Sequence, residues 1–468
     1  MMTKFSSRLL ATAVSVIAVA NVSSVFAQEQ SASPTQGPEQ ASSGGVADII
    51  VTAQKRAQNL NDVGLSITAA SADQLASAGV SNAGDLAKIT PGFTFTKSQD
   101  GTPLYTLRGV GFNDYTLGAS PAVSVYVDQV PLAYGAFTQG VSLDLERVEV
   151  LKGPQGILFG QNSTGGAINY IAAKPTQSLE AGVTASYGRF NTFDGEAFIS
   201  GPVSDTLAVR LAGAATISGP WQYNYNRDAS LGRQDQLRGR FQAEWKPTER
   251  LTMLFSANGW RDKSDTQAGQ LQGLFLQLNE ATAPFAAAAG AADLTETLRR
   301  IAVFRTLSPA PDNARAADWD SDRDLTRDDG FYQLSLRGDY ELTDDITLTS
   351  ITAYSRYNEN YSVDRDGTPL KNAGVNADGR VTSFNQELRL SGDMHGINWL
   401  IGGNYAKNKV RSANDILTGD STNTAILPGG PWIAASTTTI TQDIRDWAIF
   451  GNVEAEVTQQ LTLLAGAR

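Results

Sequence analysis

The 468-residue sequence contains no cysteine and one histidine, His395. The lack of cysteine excludes disulfide scaffolds, thiolate zinc sites and cysteine nucleophiles. A single histidine argues against histidine metal sites and histidine-dependent triads. Basic residues number 37 against 48 acidic residues, a net charge of -11, which argues against nucleic acid as a partner because binding it requires a basic surface. The composition therefore predicts a protein that is not an enzyme, with no catalytic residues, no metal site and no cofactor.

Long hydrophobic runs are also missing, and the longest one lies at the N-terminus. Lys4 and Arg8 precede an apolar stretch, Leu9–Ala20, which is shorter than the roughly 20 residues that a membrane-spanning helix needs. Small residues then stand at the -3 and -1 positions of Val25-Phe26-Ala27. A basic start, a short apolar core and a small-residue cleavage site predict a secretory signal peptide over residues 1–27. The alternative is a buried N-terminal helix.

Residues 28–47 are rich in Ser, Gln, Pro and Gly and nearly free of large apolar side chains. Such a composition predicts a flexible linker. A β-prone hexamer follows at once, consisting of Asp48, Ile49, Ile50, Val51, Thr52 and Ala53. It is either the first strand of the next domain or a mobile strand that pairs with the sheet edge of another protein. Its position alone does not decide between the two.

Residues 54–175 predict a small mixed α+β domain with many glycine turns. Ser71 and Gln74 form a capping-box pattern that opens a short helix. A Val-rich strand near residue 148 leads into a glycine-rich stretch that ends at Tyr170. That stretch lacks the Gly-Lys-Ser/Thr ending of a phosphate-binding loop. Tight turns and close backbone approaches explain its glycines better.

From residue 176 onward the hydrophobic period is two, which indicates β-strands of about ten residues. In the segment 331–340, one alternating set reads Tyr, Leu, Leu, Gly, Tyr and the other reads Gln, Ser, Arg, Asp. A soluble sandwich buries the apolar set, whereas a membrane barrel turns it toward lipid. Tight polar turns alternate with long connections of roughly 15, 70, 20 and 35 residues, which is typical of outer-membrane barrels. We therefore predict a transmembrane antiparallel β-barrel.

Eleven such strands can be counted, the last of them running to Arg468. Bacterial single-chain barrels have even strand numbers, and lipid tolerates no open sheet edge. The odd count predicts that residues 176–468 are the N-terminal part of an incomplete barrel, and that the chain is a C-terminally truncated fragment.

The domain before the barrel carries motifs that resemble those of the TonB-dependent outer-membrane receptors, which include siderophore receptors. The strongest resemblance is the run from Arg147 to Tyr170, and residues 48–53 resemble the TonB box of that family. Leu107–Gly111 and Phe384–Leu390 match further landmarks of the plug and the barrel. The residues that match the plug motif are Arg108, Gly109, Arg147, Glu149, Lys152, Gly153, Pro154, Gly156, Gly165 and Gly166. Gln129 departs from the pattern, because glycine is common there.

This resemblance implies a 22-stranded barrel in the bacterial outer membrane, occluded by an N-terminal plug. The implied partners are TonB, the outer-membrane lipid and a small extracellular ligand. The implied function is uptake of a scarce ligand, a ferric siderophore above all, energised by the proton-motive force. Within it, Arg147 and Glu149 either hold the plug against the barrel wall or serve the folding of the plug. Trp221, Tyr223 and Tyr225 alternate at the start of a loop, either as ligand contacts or as loop packing.

Other readings stay open at this point. A non-iron ligand such as an oligosaccharide, cobalamin or another small organic molecule is one alternative, and a non-functional truncated receptor is another. A passive porin-like channel conflicts with the plug motifs. A secreted sandwich protein conflicts with the alternation of turns and loops.

Overall fold

The computed structural model describes residues 49–98, 100–114, 116–273, 307–394, 396–418, 435–458 and 460–468. The predicted signal peptide, the predicted linker and Asp48 therefore lie outside the described residues. The first domain, which we call the plug, contains a five-stranded mixed sheet. The strands of the plug are β1 Ile50–Val51, β2 Gln58–Asn59, β3 Ile67–Ser71, β4 Phe93–Lys97, β5 Pro103–Leu107, β6 Val110–Gly111, β7 Val123–Val127, β8 Val130–Leu132, β9 Leu145–Lys152 and β10 Gly166–Ala172. Five of them form the mixed sheet, in the order β3-β9-β10-β7-β8.

One α-helix, α1 Ala72–Ser77, follows β3 among the described plug residues, and its cap is the one that the sequence predicts. The Ser71 side chain accepts a hydrogen bond from the Gln74 backbone, and the Gln74 side chain accepts one from the Ser71 backbone. A second turn at Ala83–Lys88 is a 3-10 helix capped by Asn82. Strands β4, β5 and β6 form a separate antiparallel sheet. Residues from these elements close one apolar core together with strands of the following sheet.

The rest of the described chain is dominated by an eleven-stranded antiparallel sheet, which we call the wall. The predicted number of strands is therefore confirmed. The wall strands are β11 Glu180–Gly188, β12 Thr192–Ser204, β13 Leu207–Ile217, β16 Asp235–Thr248, β17 Leu251–Asp262, β19 Asp329–Thr343, β20 Ile346–Asp364, β21 Gly374–Met394, β22 Ile397–Leu417, β23 Ala435–Thr458 and β24 Leu461–Ala467. Three short strands in the long connections form a small sheet of their own, namely β14 Gln222–Asn224, β15 Ser230–Leu231 and β18 Ala316–Ala317.

The wall strands carry their apolar residues on the side away from the plug. In β19, Tyr332, Leu334 and Leu336 are 41%, 42% and 41% exposed, whereas Gln333 between them is 1% exposed. A sandwich would bury the apolar set, so this arrangement confirms the barrel-type orientation of the alternation. Among the described residues, no helix is long and apolar enough to cross a membrane.

The strands are longer than the predicted length. β20 has 19 residues, β21 and β22 have 21 each, and β23 has 24. Consecutive wall strands meet at tight turns such as Asp344-Asp345, and the long connections lie at the opposite end of the sheet. The extra length lies at that opposite end, beyond the zone of alternating apolar residues.

Candidate functional site

The segment that resembles a TonB box is packed onto the plug. Ile50 and Val51 pair in antiparallel fashion with Asn59 and Gln58. Val51 and Ala53 are buried, while Ile50 is half exposed. Ile50 and Val51 therefore form a short strand of the plug. For another protein to pair with them, their pairing with Asn59 and Gln58 would first have to break.

Glu149 holds this segment from β9. Its carboxylate accepts hydrogen bonds from the Thr52 backbone at 2.8 Å and from the Thr52 hydroxyl at 3.1 Å. The Arg147 guanidinium donates to the same carboxylate at 2.9 Å, and the Asn169 amide lies 3.5 Å from it. Glu149 is fully buried. These bonds tie the box-like segment to the centre of the plug sheet.

The proposed role of Arg147 and Glu149 in holding the plug against the wall is not what the structure shows. Arg147 pairs with Glu146 and Glu149, and Glu149 is bonded to Thr52, Arg147 and Asn169. All of these partners belong to the plug. Positions 147 and 149 lie on the same face of one strand, so the two side chains meet each other. The alternative, a role in plug folding, fits the geometry.

The remaining plug-motif residues lie at the β5–β6 turn and in the stretch from the end of β9 to the start of β10. Arg108 and Gly109 adopt positive φ angles of 50° and 78° at the β5–β6 turn, and Arg108 donates to the Ser66 hydroxyl at 2.6 Å. A Cβ atom at Gly166 would lie 2.2 Å from the Leu151 carbonyl oxygen, so only glycine fits at this close approach. The loop between β9 and β10 contains the other motif residues, Gly153, Pro154, Gly156 and Gly165, and Lys152 ends β9.

The contacts that hold the plug against the wall involve residues that sequence reasoning missed. Directly after the box-like segment, the Lys55 ammonium lies 2.5 Å from the Glu387 carboxylate on β21. Arg56 lies 2.6 Å from Glu454 on β23. Burial lowers the pKa of Lys55 to about 8, against the opposing effect of Glu387. Because burying this charge is costly, the pair specifies where the plug sits more than it adds net stability.

A second attachment lies on the opposite flank of the plug. The Asp144 carboxylate accepts two hydrogen bonds from the Arg210 guanidinium of β13, at 2.7 Å and 2.6 Å. Arg240 on β16 donates to the carbonyl oxygens of Leu143 and Asp144 at 2.6 Å and 3.1 Å. The Asp144 backbone donates to Glu196 on β12 at 3.1 Å. This bidentate, buried pair is the strongest polar geometry between plug and wall.

Toward the end of the wall that carries the long connections, the interface is partly aromatic. The Phe137 ring of the plug lies 5.0 Å from the Phe331 ring and 6.0 Å from the Tyr357 ring. The Trp260 indole donates to the Phe137 carbonyl at 3.3 Å. At the tip of the plug, Arg365 donates to the Asp100 carboxylate at 2.8 Å. The plug is thus seated by separable polar and aromatic contacts.

The three candidate ligand-contact aromatics lie in the small sheet of the long connections. Tyr223 lies in β14, Trp221 and Tyr225 flank that strand, and all three are half-buried. The Arg315 guanidinium donates to the Trp221 carbonyl at 2.8 Å and lies 5.8 Å from the centre of the Tyr223 ring. The rings therefore take part in loop packing, and a ligand contact by them stays a prediction. In the described part of the chain, no group of three or more acidic or histidine side chains is arranged to hold a metal ion.

The Lys55–Glu387 pair offers a charge-reversal test. We expect Lys55→Glu to weaken the seating of the plug by about 2–5 kcal/mol, because two buried carboxylates then face each other. Leak of a large hydrophilic solute through membranes that contain the protein should rise. The exchanged pair Lys55→Glu with Glu387→Lys should restore the barrier in part only, because Glu387 also bonds the buried Arg389 at 2.9 Å.

The matched control is Lys88→Glu, on the plug surface. Lys88 bonds Asp85 and the Gly79 carbonyl, both within the plug. Its reversal should leave permeability unchanged. Equal permeability in the Lys55→Glu variant and the unmodified protein would show that this pair does not seat the plug.

Comparison with known proteins agrees with this architecture. Residues 59–167 match the family model described as the TonB-dependent Receptor Plug Domain. The pesticin receptor of Yersinia pestis is 33% identical over 176 residues, which is 36% of this chain and 24% of the receptor. The ferripyoverdine receptor of Pseudomonas aeruginosa is 27% identical over 184 residues, 39% of this chain and 22% of the receptor. The matched segments thus span about a quarter of these curated relatives.

Solved structures share the fold over a longer stretch. The ferric yersiniabactin uptake receptor of Yersinia pestis superposes with a TM-score of 0.64 at 19% identity, covering 86% of this chain and 56% of that one. The pyoverdine outer membrane receptor of Pseudomonas aeruginosa gives a TM-score of 0.67 at 16% identity, covering 89% and 58%. At these identities the likeness establishes the fold, a plug combined with barrel strands. This chain corresponds to somewhat more than half of either solved structure.

Proposed function

Because this chain carries the plug domain of the TonB-dependent receptors, we propose that it takes up a ferric siderophore across the bacterial outer membrane. TonB pairs with the segment Asp48–Ala53 and transmits the energy of the proton-motive force to the plug. The observation that carries the proposal is the seating of a plug, with a box-like segment at its start, against the polar face of barrel-type strands. The predicted signal peptide would direct the chain to the cell envelope.

The ligand class rests on the relatives. The curated matches include receptors named for pesticin and for ferripyoverdine, and an iron-regulated outer membrane virulence protein of Vibrio cholerae. The superposed structures include receptors for ferric yersiniabactin and for pyoverdine. Ferric siderophores are the substrate class that these names have in common. An oligosaccharide, cobalamin or another small organic ligand is the second candidate.

The structure supports an energised gate in preference to an open pore. Plug and wall are joined by buried ion pairs, such as Asp144 with Arg210, and by the aromatic contacts of Phe137. Separating the partners of a buried pair costs several kcal/mol, so the seated plug is the favoured state until an external force pulls it. A passive channel would not need such contacts.

Deleting the gene tests the proposed cargo. We expect the deletion strain to grow poorly when iron is chelated, and to take up less ⁵⁵Fe from its own iron-starved culture supernatant loaded with that isotope. Growth with abundant iron serves as the control and should not change. Normal growth and normal ⁵⁵Fe uptake under chelation would reject iron as the cargo and favour a non-iron ligand.

A further inference from the structure

A cavity of about 210 Å³ lies between the plug and the wall. On the plug side it is lined by the β7–β8 hairpin, including Tyr126 and Gln129, and by the segment Leu158–Asn162. On the wall side, residues of β20, β21, β22 and β23 close it, Asn408 among them. Lys55, which follows the box-like segment, also reaches it. The cavity thus adjoins the part of the plug that is proposed to be pulled.

Gln129 occupies a strained position at the edge of this cavity. It and Asp128 form the two-residue turn between β7 and β8, with φ angles of 70° and 50°. Two positive φ values define the hairpin turn in which glycine is strongly preferred at the second position. A glutamine there carries strain that glycine would relieve, and such outliers concentrate at functional sites. Its side chain therefore needs a reason to be present.

Two carboxamide oxygens at the cavity lack a protein partner. Gln129 is 6% exposed and Asn408 is 5% exposed. Neither the Gln129 Oε1 atom nor the Asn408 Oδ1 atom has a hydrogen-bond partner among the described residues. Buried polar atoms are nearly always paired with protein, water or ligand. One unpaired oxygen lies on the plug and the other on the wall, so a ligand in the cavity could donate hydrogen bonds to both.

The chemistry of the lining defines the guest. Lys55 is paired with Glu387, and Asp446 accepts a hydrogen bond from the Gln161 amide at 3.2 Å. Arg468, which also lines the cavity, donates to the Asn404 side-chain oxygen at 2.6 Å and to the Ile157 carbonyl at 3.3 Å. The charges near the cavity are thus already engaged, and the groups that remain are neutral carboxamides. Carboxamides bond hydroxyl and amide groups equally well. The two unpartnered oxygens suit a neutral molecule that donates hydrogen bonds.

We propose that this cavity is an internal transit site, in which Gln129 and Asn408 hold hydroxyl or amide groups of a neutral ligand as it passes the plug. The proposal rests on the proposed function and adds the place and the ligand chemistry. It also distinguishes two sides of the plug. The flank at Asp144 is closed by a bidentate ion pair, and the aromatic contacts at Phe137 are packed ring against ring. The plug separates from the wall at the cavity and stays attached elsewhere.

Gln129→Gly tests the transit site because relief of backbone strain should raise the melting temperature, whereas loss of the side chain should lower uptake. The variant relieves the positive φ, so the melting temperature should rise. Uptake of a ⁵⁵Fe-labelled neutral tris(hydroxamate) complex should nevertheless fall about fivefold, the equivalent of one hydrogen bond, with unchanged binding at the cell surface. Gln129→Asn, which keeps an amide and tolerates the left-handed region, should retain most of the uptake. Unchanged uptake by Gln129→Gly would overturn the proposal, as would failure of the unmodified receptor to transport this complex.

The same complex separates this proposal from the proposed function. If deletion of Asp48–Ala53 leaves its uptake intact and a protonophore does not reduce that uptake, energised transport is refuted. If that deletion stops uptake but Gln129→Gly does not change it, only the transit site is refuted. A ⁵⁵Fe-labelled tris(catecholate) trianion is the matched probe of ligand charge. Its transport should be slower than that of the neutral complex, and a preference for the trianion would reject the assigned ligand class.

Thiol labelling tests the cavity without any transport. The chain contains no cysteine, so a single introduced cysteine is the only thiol. In receptor-containing membranes, Asn408→Cys should react with N-ethylmaleimide on the order of tenfold faster than Val410→Cys, because reaction requires access. Val410 lies two positions along the same strand and packs in the apolar core at 2% exposure. Equal rates at the two positions would show that the cavity is closed to small solutes.

Discussion

Removal of Asp48–Ala53 should abolish energised uptake of ferric siderophore while ligand binding at the cell surface persists. Pairing by strand addition relies on main-chain hydrogen bonds, and the deletion removes the strand that TonB would bind. The measurement is ⁵⁵Fe uptake with and without a protonophore, in cells that carry equal amounts of receptor. Uptake that persists in the deletion variant and stays sensitive to the protonophore would contradict this role of the segment.

The deletion has a structural side effect, which a milder variant avoids. Val51 and Ala53 are buried in the plug, so their loss leaves a void as well as a missing strand. Ile50 is 48% exposed, and its replacement leaves the plug core filled. Ile50→Pro removes one N–H donor from the strand, and uptake should fall on the order of tenfold for each 1.4 kcal/mol of pairing energy lost. Ile50→Ala keeps the backbone donor and should transport normally.

The wall was predictable because its signal is local and repeated. Alternation of Tyr332, Leu334 and Leu336 with polar residues fixes both the strand and the face that it exposes. The strand ends were not predictable in the same way. Asn414 and Asp415 of β22 and Thr437–Thr439 of β23 pair in regular register, yet they carry no apolar alternation. Backbone pairing alone continues the sheet there, and it does not require a particular pattern of apolar and polar side chains.

The seating of the plug was not predictable, because its partners are distant in sequence. Lys55 and Glu387 are 332 positions apart, and nothing in the composition of either neighbourhood indicates the other. Of the two roles left open for Arg147 and Glu149, the contacts within the plug favour plug folding, for a reason visible in the sequence. Residues two apart on a strand share a face, so opposite charges at that spacing pair with each other first. Gln129 was visible as a departure from the family pattern, but its burial and its orphan oxygen were not.

Asp144→Asn should strongly weaken the seating of the plug against the wall. Arg210 is 6% exposed, and its guanidinium donates two hydrogen bonds to the Asp144 carboxylate. Removing one partner of a buried pair leaves the other charge uncompensated, at a cost of about 3–5 kcal/mol. Asparagine is preferred to alanine in this test because Asp144 has a φ of 47°, a region that asparagine tolerates. The effect therefore reports the lost charge and not backbone strain.

The double variant Asp144→Asn with Arg210→Met distinguishes a lost pair from a stranded charge. Methionine fills most of the volume beside Phe198, whose ring lies 4.0 Å from the Arg210 guanidinium, and no buried charge remains. The melting temperature should fall sharply in the single variant and recover most of the loss in the double variant, with permeability to a large hydrophilic antibiotic following the same order. If both variants melt together, the loss comes from the missing Asp144–Arg210 hydrogen bonds and not from a stranded Arg210 charge. In that case the attachment on this flank depends on Arg240, which donates to the Leu143 carbonyl and is untouched by either substitution.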